Sequence, residues 1–369
     1  MKVGTITFHF VNNFGGALQA YALQKTIADE CQVSVEIIDY RNWFICFTDT
    51  VRLFPVTLNL KELKSGLRTM KQRIGRVRRM SAFIHENCKL TRRYNSVATL
   101  RHNVPNFDKF VCGSDQIWNP FLTFGLAEPY FLGFVQDGNK KISYAPSFGS
   151  NRLLSRQAKR IKKYLSDFEA ISVREHDGTV LVKTLTGRDA VQMIDPVFLL
   201  RREEWNEVAI KPEIKGPYIL LYIMQHDDGV YAYAKKIKKQ LGIQIVEISR
   251  YGYQPDFVDV SLVDIGPREF IGLFQNADYI CTNSYHGLVF SLIFQKEFCL
   301  IPCKKFYLRI HNLLKLLHIE TSNVLNGKDS LSAQYDKESV SNTIAVEREK
   351  AVQYLTKNIL GKDTQRVDD

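Results

Sequence analysis

The chain has 369 residues, 45% of them hydrophobic and 12% aromatic, with a formal charge of +11; that is enough apolar material for a large core and enough length to imply two domains. No stretch of about 18 apolar residues is free of charges, and the N-terminal "MKVGTITFHFVNNFGG" reads as a strand without a small-residue cleavage site, so neither a membrane span nor a secretory signal is expected and the protein is placed in the cytoplasm. Seven cysteines without a Cys-x-x-Cys pair fit reduced thiols, and Cys299 and Cys303 flank a proline with no histidines at zinc-site spacing, so no disulfide and no metal site are expected.

Strands are predicted at 2–8, 35–39, 109–113, 141–145, 170–173 and 190–194, separated by helical patterns. After Asp195-Pro196 the rhythm restarts, with strands at 218–224, 243–248, 278–282 and 298–302 and helices near 228–240, 267–276, 286–295 and 306–318. Apolar strands alternating with helices predict an α/β protein of parallel sheets covered on both faces. The expected architecture is two doubly wound, Rossmann-like domains facing a cleft, residues 1–196 and 197–334, followed by a terminal helix and tail at 335–369. Ligands then bind at the carboxyl ends of the strands.

Residues 61–93 interrupt the first domain with 11 Lys or Arg against Glu62 and Glu86. Leu63, Leu67, Met70, Ile74, Val77 and Ile84 recur there at helical spacing, an apolar stripe with arginines around it. Two readings stand: a helix packed by its stripe with a solvated basic face, or a basic surface for an anionic membrane or a polyanionic substrate. The segment lacks an aromatic platform for bases, so nucleic acid is not an expected partner.

Four polar motifs follow predicted strands. "FHFVNNFGGALQ" leads through Asn13, Gly15 and Gly16 into a helix beginning around Ala17, and is either a tight turn or a cradle for an anion at a helix N-terminus. "VCGSDQIWNP" ends a strand at Ser114 and Asp115, which either face the ligand or make a turn. Arg174 in "ISVREHDG" emerges directly after an apolar strand, where it meets an anion or pairs with Glu175 or Asp177. "DYICTNSYHGLVF" delivers Asn283, Ser284 and His286 to a strand end, with Gly287 permitting close packing; the positive pole of the following helix favours a neutral imidazole beside a bound anion, which suits acid–base work.

Together these stretches, with "SYAPSFG", "DPVFLL", "IGPREFIGLFQNADYICTNSYHGLVFSLIF" and "FYLRIHNLL", resemble the polysaccharide pyruvyl transferase family over roughly residues 4–310. The resemblance implies a GT-B-like architecture and transfer of pyruvate from phosphoenolpyruvate onto two hydroxyls of a sugar, forming a cyclic ketal, with no cofactor or metal. It implies a saccharide acceptor that is a lipid-linked repeat unit of a surface polysaccharide and a role in capsule or exopolysaccharide synthesis; the charge of 61–93 then reads as a peripheral contact with the inner face of an anionic membrane. His286 matches the family's motif histidine and Arg174 its strand-end arginine, which makes these the catalytic candidates; Asn13, Gly15, Gly16, Ser114, Asp115, Asn283, Ser284 and Arg309 are the substrate-binding candidates. One position departs from the pattern: many relatives carry arginine where this chain has Ser284, which removes one anion contact. A nucleotide-sugar glycosyltransferase on the same architecture and an inactive saccharide-binding paralogue are the alternatives.

Overall fold

The structure, a computed structural model, describes residues 1–51, 64, 67–123, 128–149, 153–250, 252, 254–301, 307–324 and 333–361. The chain folds as two compact units, one comprising residues 1–47, 84–200 and 345–369 and the other residues 48–83 and 201–344.

In the first unit β1 (Lys2–Ile6) leads into α1 (Phe14–Cys31) and β2 (Ser34–Ile37), then α2 (Trp43–Val51), which begins in this unit. A long helix, α3 (Met70–Asn87), most of which belongs to the second unit, and a short one, α4 (Val97–His102), precede β3 (Lys109–Cys112) and β4 (Lys141–Ser143). Next come α5 (Ser155–Leu165), β5 (Ser172–Val173), α6 (His176–Thr186) and β6 (Val191–Gln192). The strands run parallel in the order β2-β1-β3-β4, and a bridge between Ile142 and Ala170 leads from β4 towards the parallel β5–β6 pair. Apolar β-branched residues dominate these strands because both faces are covered; Val3, Ile6, Val35, Ile37, Val111 and Ile142 are all buried.

The second unit begins its regular part with α7 (Arg202–Val208). It alternates β7 (Tyr218–Tyr222), α8 (Asp228–Leu241), β8 (Gln244–Ile248) and β9 (Val260–Leu262), then α9 (Pro267–Asn276), β10 (Tyr279–Thr282), α10 (Tyr285–Ile293) and β11 (Glu297–Leu300). Helices α11 (Tyr307–Leu316), α12 (Thr321–Val324) and α13 (Lys337–Leu360) follow. The sheet is parallel throughout, in the order β11-β10-β7-β8-β9. All five residues of its central strand, β7, are buried, as a strand covered on both faces requires. In each unit the parallel arrangement sets the carboxyl ends of the strands along one edge, where the polar motifs lie.

Two expectations about organisation change. The chain passes to its second unit near residue 200, close to the predicted boundary, but residues 48–83 belong to the second unit and residues 345–369 to the first. The face of α3 departs in part from the predicted stripe: Ile84 is buried and Met70 and Val77 half-buried, but Leu67, just before the helix, is 58% and Ile74 40% exposed, whereas Arg73, Arg76, Met80 and Phe83 are buried. The reason lies in the arginines. The Arg76 guanidinium donates from Nε to the Val263 carbonyl (2.7 Å) and from Nη2 to the Ser249 carbonyl (2.5 Å), at the ends of β9 and β8, so the long aliphatic stem packs inward while the head finds acceptors at strand ends. Leu63 lies outside the described residues.

Candidate active site

In the first unit the strand ends are tied closely to one another. Asn13 is the N-cap of α1, its Oδ1 accepting from the Gly15 amide at 3.0 Å, so the helix starts three residues before Ala17. Gly16 lies in the same turn against the Phe8 carbonyl, and a side-chain carbon placed there would stand 3.7 Å from the Asp115 carboxylate. Asp115 thus lies beside the positive end of α1, an arrangement the helix dipole favours. Ser114 is buried and its groups are engaged by the protein: its hydroxyl donates to the Ala145 carbonyl, and its amide donates to Gln19 Oε1.

Arg174 follows β5 and is buried. Its Nε donates to Glu175 (3.0 Å) and its Nη1 to Asp195 (2.7 Å), and Asp195 is itself wholly buried. The pairing reading of Arg174 is met by Glu175, and Asp195 joins it in place of Asp177.

The second unit assembles differently. β10 ends at Thr282, and Asn283 uses its side chain on the neighbouring strand end, accepting from the Met224 amide and donating to the Gln225 carbonyl, both at 2.8 Å. Ser284 is the N-cap of α10, its hydroxyl accepting from the Gly287 amide at 3.3 Å. A serine suits this position because a short hydroxyl can satisfy a first-turn amide. A side chain on Gly287 would collide with Thr282 Oγ1 at 2.2 Å, so only glycine lets the helix start this close to the strand. His286 sits in the first turn of α10, buried, with its ring edge-on to Tyr285 at 5.2 Å. Arg309, from α11, places its guanidinium 5.7 Å from the centre of that same Tyr285 ring.

A helix N-terminus, a histidine in its first turn and an arginine held over the adjacent tyrosine are groups of the kind that can bind an anion and exchange a proton. The sequence model of the polysaccharide pyruvyl transferases matches residues 13–305. The chain belongs to that family. His286 and its flanking Asn283 and Ser284 lie inside the matched stretch, and Arg309 lies just beyond it. No curated protein sequence matches the chain.

Among solved structures, the family member is similar to a Staphylococcus aureus MnaA–UDP complex over 97% of this chain and 91% of that one (TM-score 0.45, 9% identity). It is similar to Acinetobacter baumannii MurG over 98% and 99% (TM-score 0.41, 10% identity), and to the N-terminal domain of Candida albicans trehalose-6-phosphate phosphatase over 98% and 95% (TM-score 0.45, 9% identity). Likeness this distant says nothing of a substrate.

Two polar groups escaped the motif reading. His9, at the end of β1, meets Asp39 through Nε2 at 3.0 Å, and Asp39 also accepts from Arg41 Nε at 2.6 Å and Arg93 Nε at 3.4 Å. Burial raises the Asp39 carboxyl, but the hydrogen bonds and charges of His9 and Arg41 outweigh it and hold the group well below the usual carboxylate range. Glu247, on β8, is buried and accepts from the Tyr231 hydroxyl at 3.3 Å; burial pushes its carboxyl up to about 7. A lone charge inside the apolar run "IQIVEI" was the visible signal for it. Among the described residues no cluster of His, Cys, Asp and Glu could hold a metal ion, and no helix is long and apolar enough to cross a membrane.

Proposed function

We propose that this member of the family is a ketal-forming pyruvyl transferase, taking pyruvate from phosphoenolpyruvate to two hydroxyls of a sugar in a lipid-linked repeat unit of a surface polysaccharide. One observation carries this reading within the family: Arg309 stacked over Tyr285, next to His286 at a capped helix N-terminus. The donor bears a phosphate and a carboxylate, and a cation–π contact uses the face of a guanidinium while its in-plane N–H groups can bond an anion. The α10 N-terminus adds backbone donors and a partial positive charge.

In the proposed reaction the imidazolium form of His286, favoured by the phosphate and carboxylate of the bound donor against the pole of the helix, gives a proton to the terminal methylene of phosphoenolpyruvate. The neighbouring carbon becomes oxocarbenium-like, and an acceptor hydroxyl attacks it. Phosphate then leaves, a second hydroxyl of the same sugar closes the ketal ring, and of the two hydroxyl protons released one restores His286 and the other goes to the phosphate. Ser284 stands where many relatives carry arginine, so Arg309 takes a larger share of the anion contact here.

Incubation with phosphoenolpyruvate and a panel of free and lipid-linked saccharides is expected to release phosphate with at least one acceptor, and phosphoenolpyruvate alone is expected to raise the melting temperature. Stabilisation by a nucleotide sugar and not by phosphoenolpyruvate would make the protein a glycosyltransferase instead. Stabilisation by saccharide alone, without turnover, would leave a binding protein.

A further inference from the structure

We infer that the protein docks on anionic phospholipid surfaces through helix α2 of the first unit, and not through the basic helix α3 that the sequence favours. Trp43 is 69% and Phe47 59% exposed, and Trp43 is the most exposed large apolar side chain among the described residues. Their spacing of four puts both rings on one face of α2. The other face is anchored: Ile45 belongs to the first unit's core, and Asn42 Oδ1 accepts from the Phe44 amide at 2.8 Å and the Ile45 amide at 3.3 Å. The aromatic face is therefore held outward by a fixed helix.

Cations border it. Arg41 stands two residues before Trp43, and its amide donates to the Tyr94 carbonyl, which brings Arg92 and Arg93 to the same edge. Arg93 is exposed and shares the buried Asp39 with Arg41, while Arg92 lies against the Tyr94 ring at 5.3 Å. Arg41 and Arg93 share one buried carboxylate and Arg92 adds a third cation beside them, which leaves this edge positive. An exposed Trp–Phe face rimmed by arginines matches the boundary between acyl chains and anionic headgroups. A second copy of the chain fits less well, because a two-fold contact through this face would bring the same arginines of both copies together. By contrast two arginines of the basic helix are tied to the protein itself: Arg76 bonds backbone carbonyls, and Arg79 pairs with Asp264 (3.1 Å) and Glu269 (2.9 Å).

The chain has three tryptophans. Trp118 and Trp205 are 0% exposed, so Trp43 alone can move into lipid while the fold is intact. With vesicles of phosphatidylcholine containing a third phosphatidylglycerol, tryptophan emission is expected to shift to the blue and to be quenched by brominated acyl chains. Trp43→Phe should remove that signal and keep vesicle binding, measured by flotation. The double change Trp43→Ser/Phe47→Ser should lower partitioning by at least about tenfold, with circular dichroism unchanged. Arg92→Gln and Arg93→Gln should each lower it by about fivefold at low salt, an effect that fades as salt rises. Emission that does not move on vesicle binding, or unchanged partitioning of the double serine variant, would overturn the inference. So would a concentration-dependent dimer that buries Trp43 without vesicles.

Discussion

The two units treat buried charge in different ways. In the first, Arg174 is held between Glu175 and Asp195, Asp39 among His9, Arg41 and Arg93, and Lys141 against Asp167. In the second, Arg76 is held through backbone carbonyls, Glu247 through a tyrosine hydroxyl and Arg309 against an aromatic ring. The titration shifts follow: Asp39 is driven down by its cations, whereas burial pushes Glu247 up to about 7 and Arg76 down to about 10. Opposite charges in contact fix a fold and screen one another. Charges held by neutral dipoles stay sensitive to what binds next to them, and the family's histidine motif lies in that second unit.

The largest effect expected from this contrast is on stability. Arg174→Met leaves Asp195 and Glu175 without their cation and should cost about 3–5 kcal/mol in chemical denaturation, while phosphoenolpyruvate affinity at a temperature where the variant is folded should change little. A stable Arg174→Met protein with weakened donor binding would break the contrast and return Arg174 to the donor.

His286→Ala should lower turnover by about 100-fold or more, the usual cost of removing a general acid, with an unchanged melting temperature. Equal turnover in the folded variant would leave His286 a packing residue. Arg309→Lys sharpens the same point: it keeps the charge but loses the planar fork, and donor affinity measured by calorimetry should fall by about tenfold.

Stability against pH separates the units next. Folded Glu247 holds its proton up to about pH 7 and the unfolded chain releases it near 4.5, so the folded form binds more protons between those values. Its contribution is present below pH 4.5 and is lost as pH rises through that window, by about 3 kcal/mol in all. Asp39 runs the other way: its contribution is present above its ordinary value of 3.8 and is lost as pH falls towards its depressed folded value. In Glu247→Gln the loss between pH 4.5 and 7 should vanish from denaturation curves; a persistent loss would place its cause elsewhere.

The smallest effect concerns α3. Arg79, half exposed and paired with Asp264 and Glu269, should cost less than about 1 kcal/mol as Arg79→Gln. Arg76→Gln should cost about 1–3 kcal/mol, since it strands buried carbonyls. Similar values for both would mean that the helix is not tethered through Arg76.

Much of this architecture was legible in the sequence because buried parallel strands leave apolar runs such as "YILLY" that nothing else in the chain imitates. β9 was missed: Val260–Leu262 is three half-buried residues at a sheet edge, too short to show a period. Part of the face of α3 was misjudged because periodicity counts apolar side chains and cannot foresee an arginine whose stem packs inward to reach carbonyls distant in sequence. At the candidate site, His286 and the helix start were readable from one local stretch. The engagement of Ser114 by Ala145 and of Arg174 by Asp195 was not, because those partners are set by which strands lie side by side.

The helix Lys337–Leu360 bears on how the protein is made. Its later part belongs to the first unit, where Tyr354 donates to the Ser143 carbonyl (3.0 Å) and Arg348 to the Phe198 carbonyl (2.8 Å). These residues leave the ribosome after the whole of the second unit's sequence. The unit that begins first is therefore completed last, so during synthesis the surface around Ser143 and Phe198 waits uncovered while the second unit already has its full sequence in which to fold.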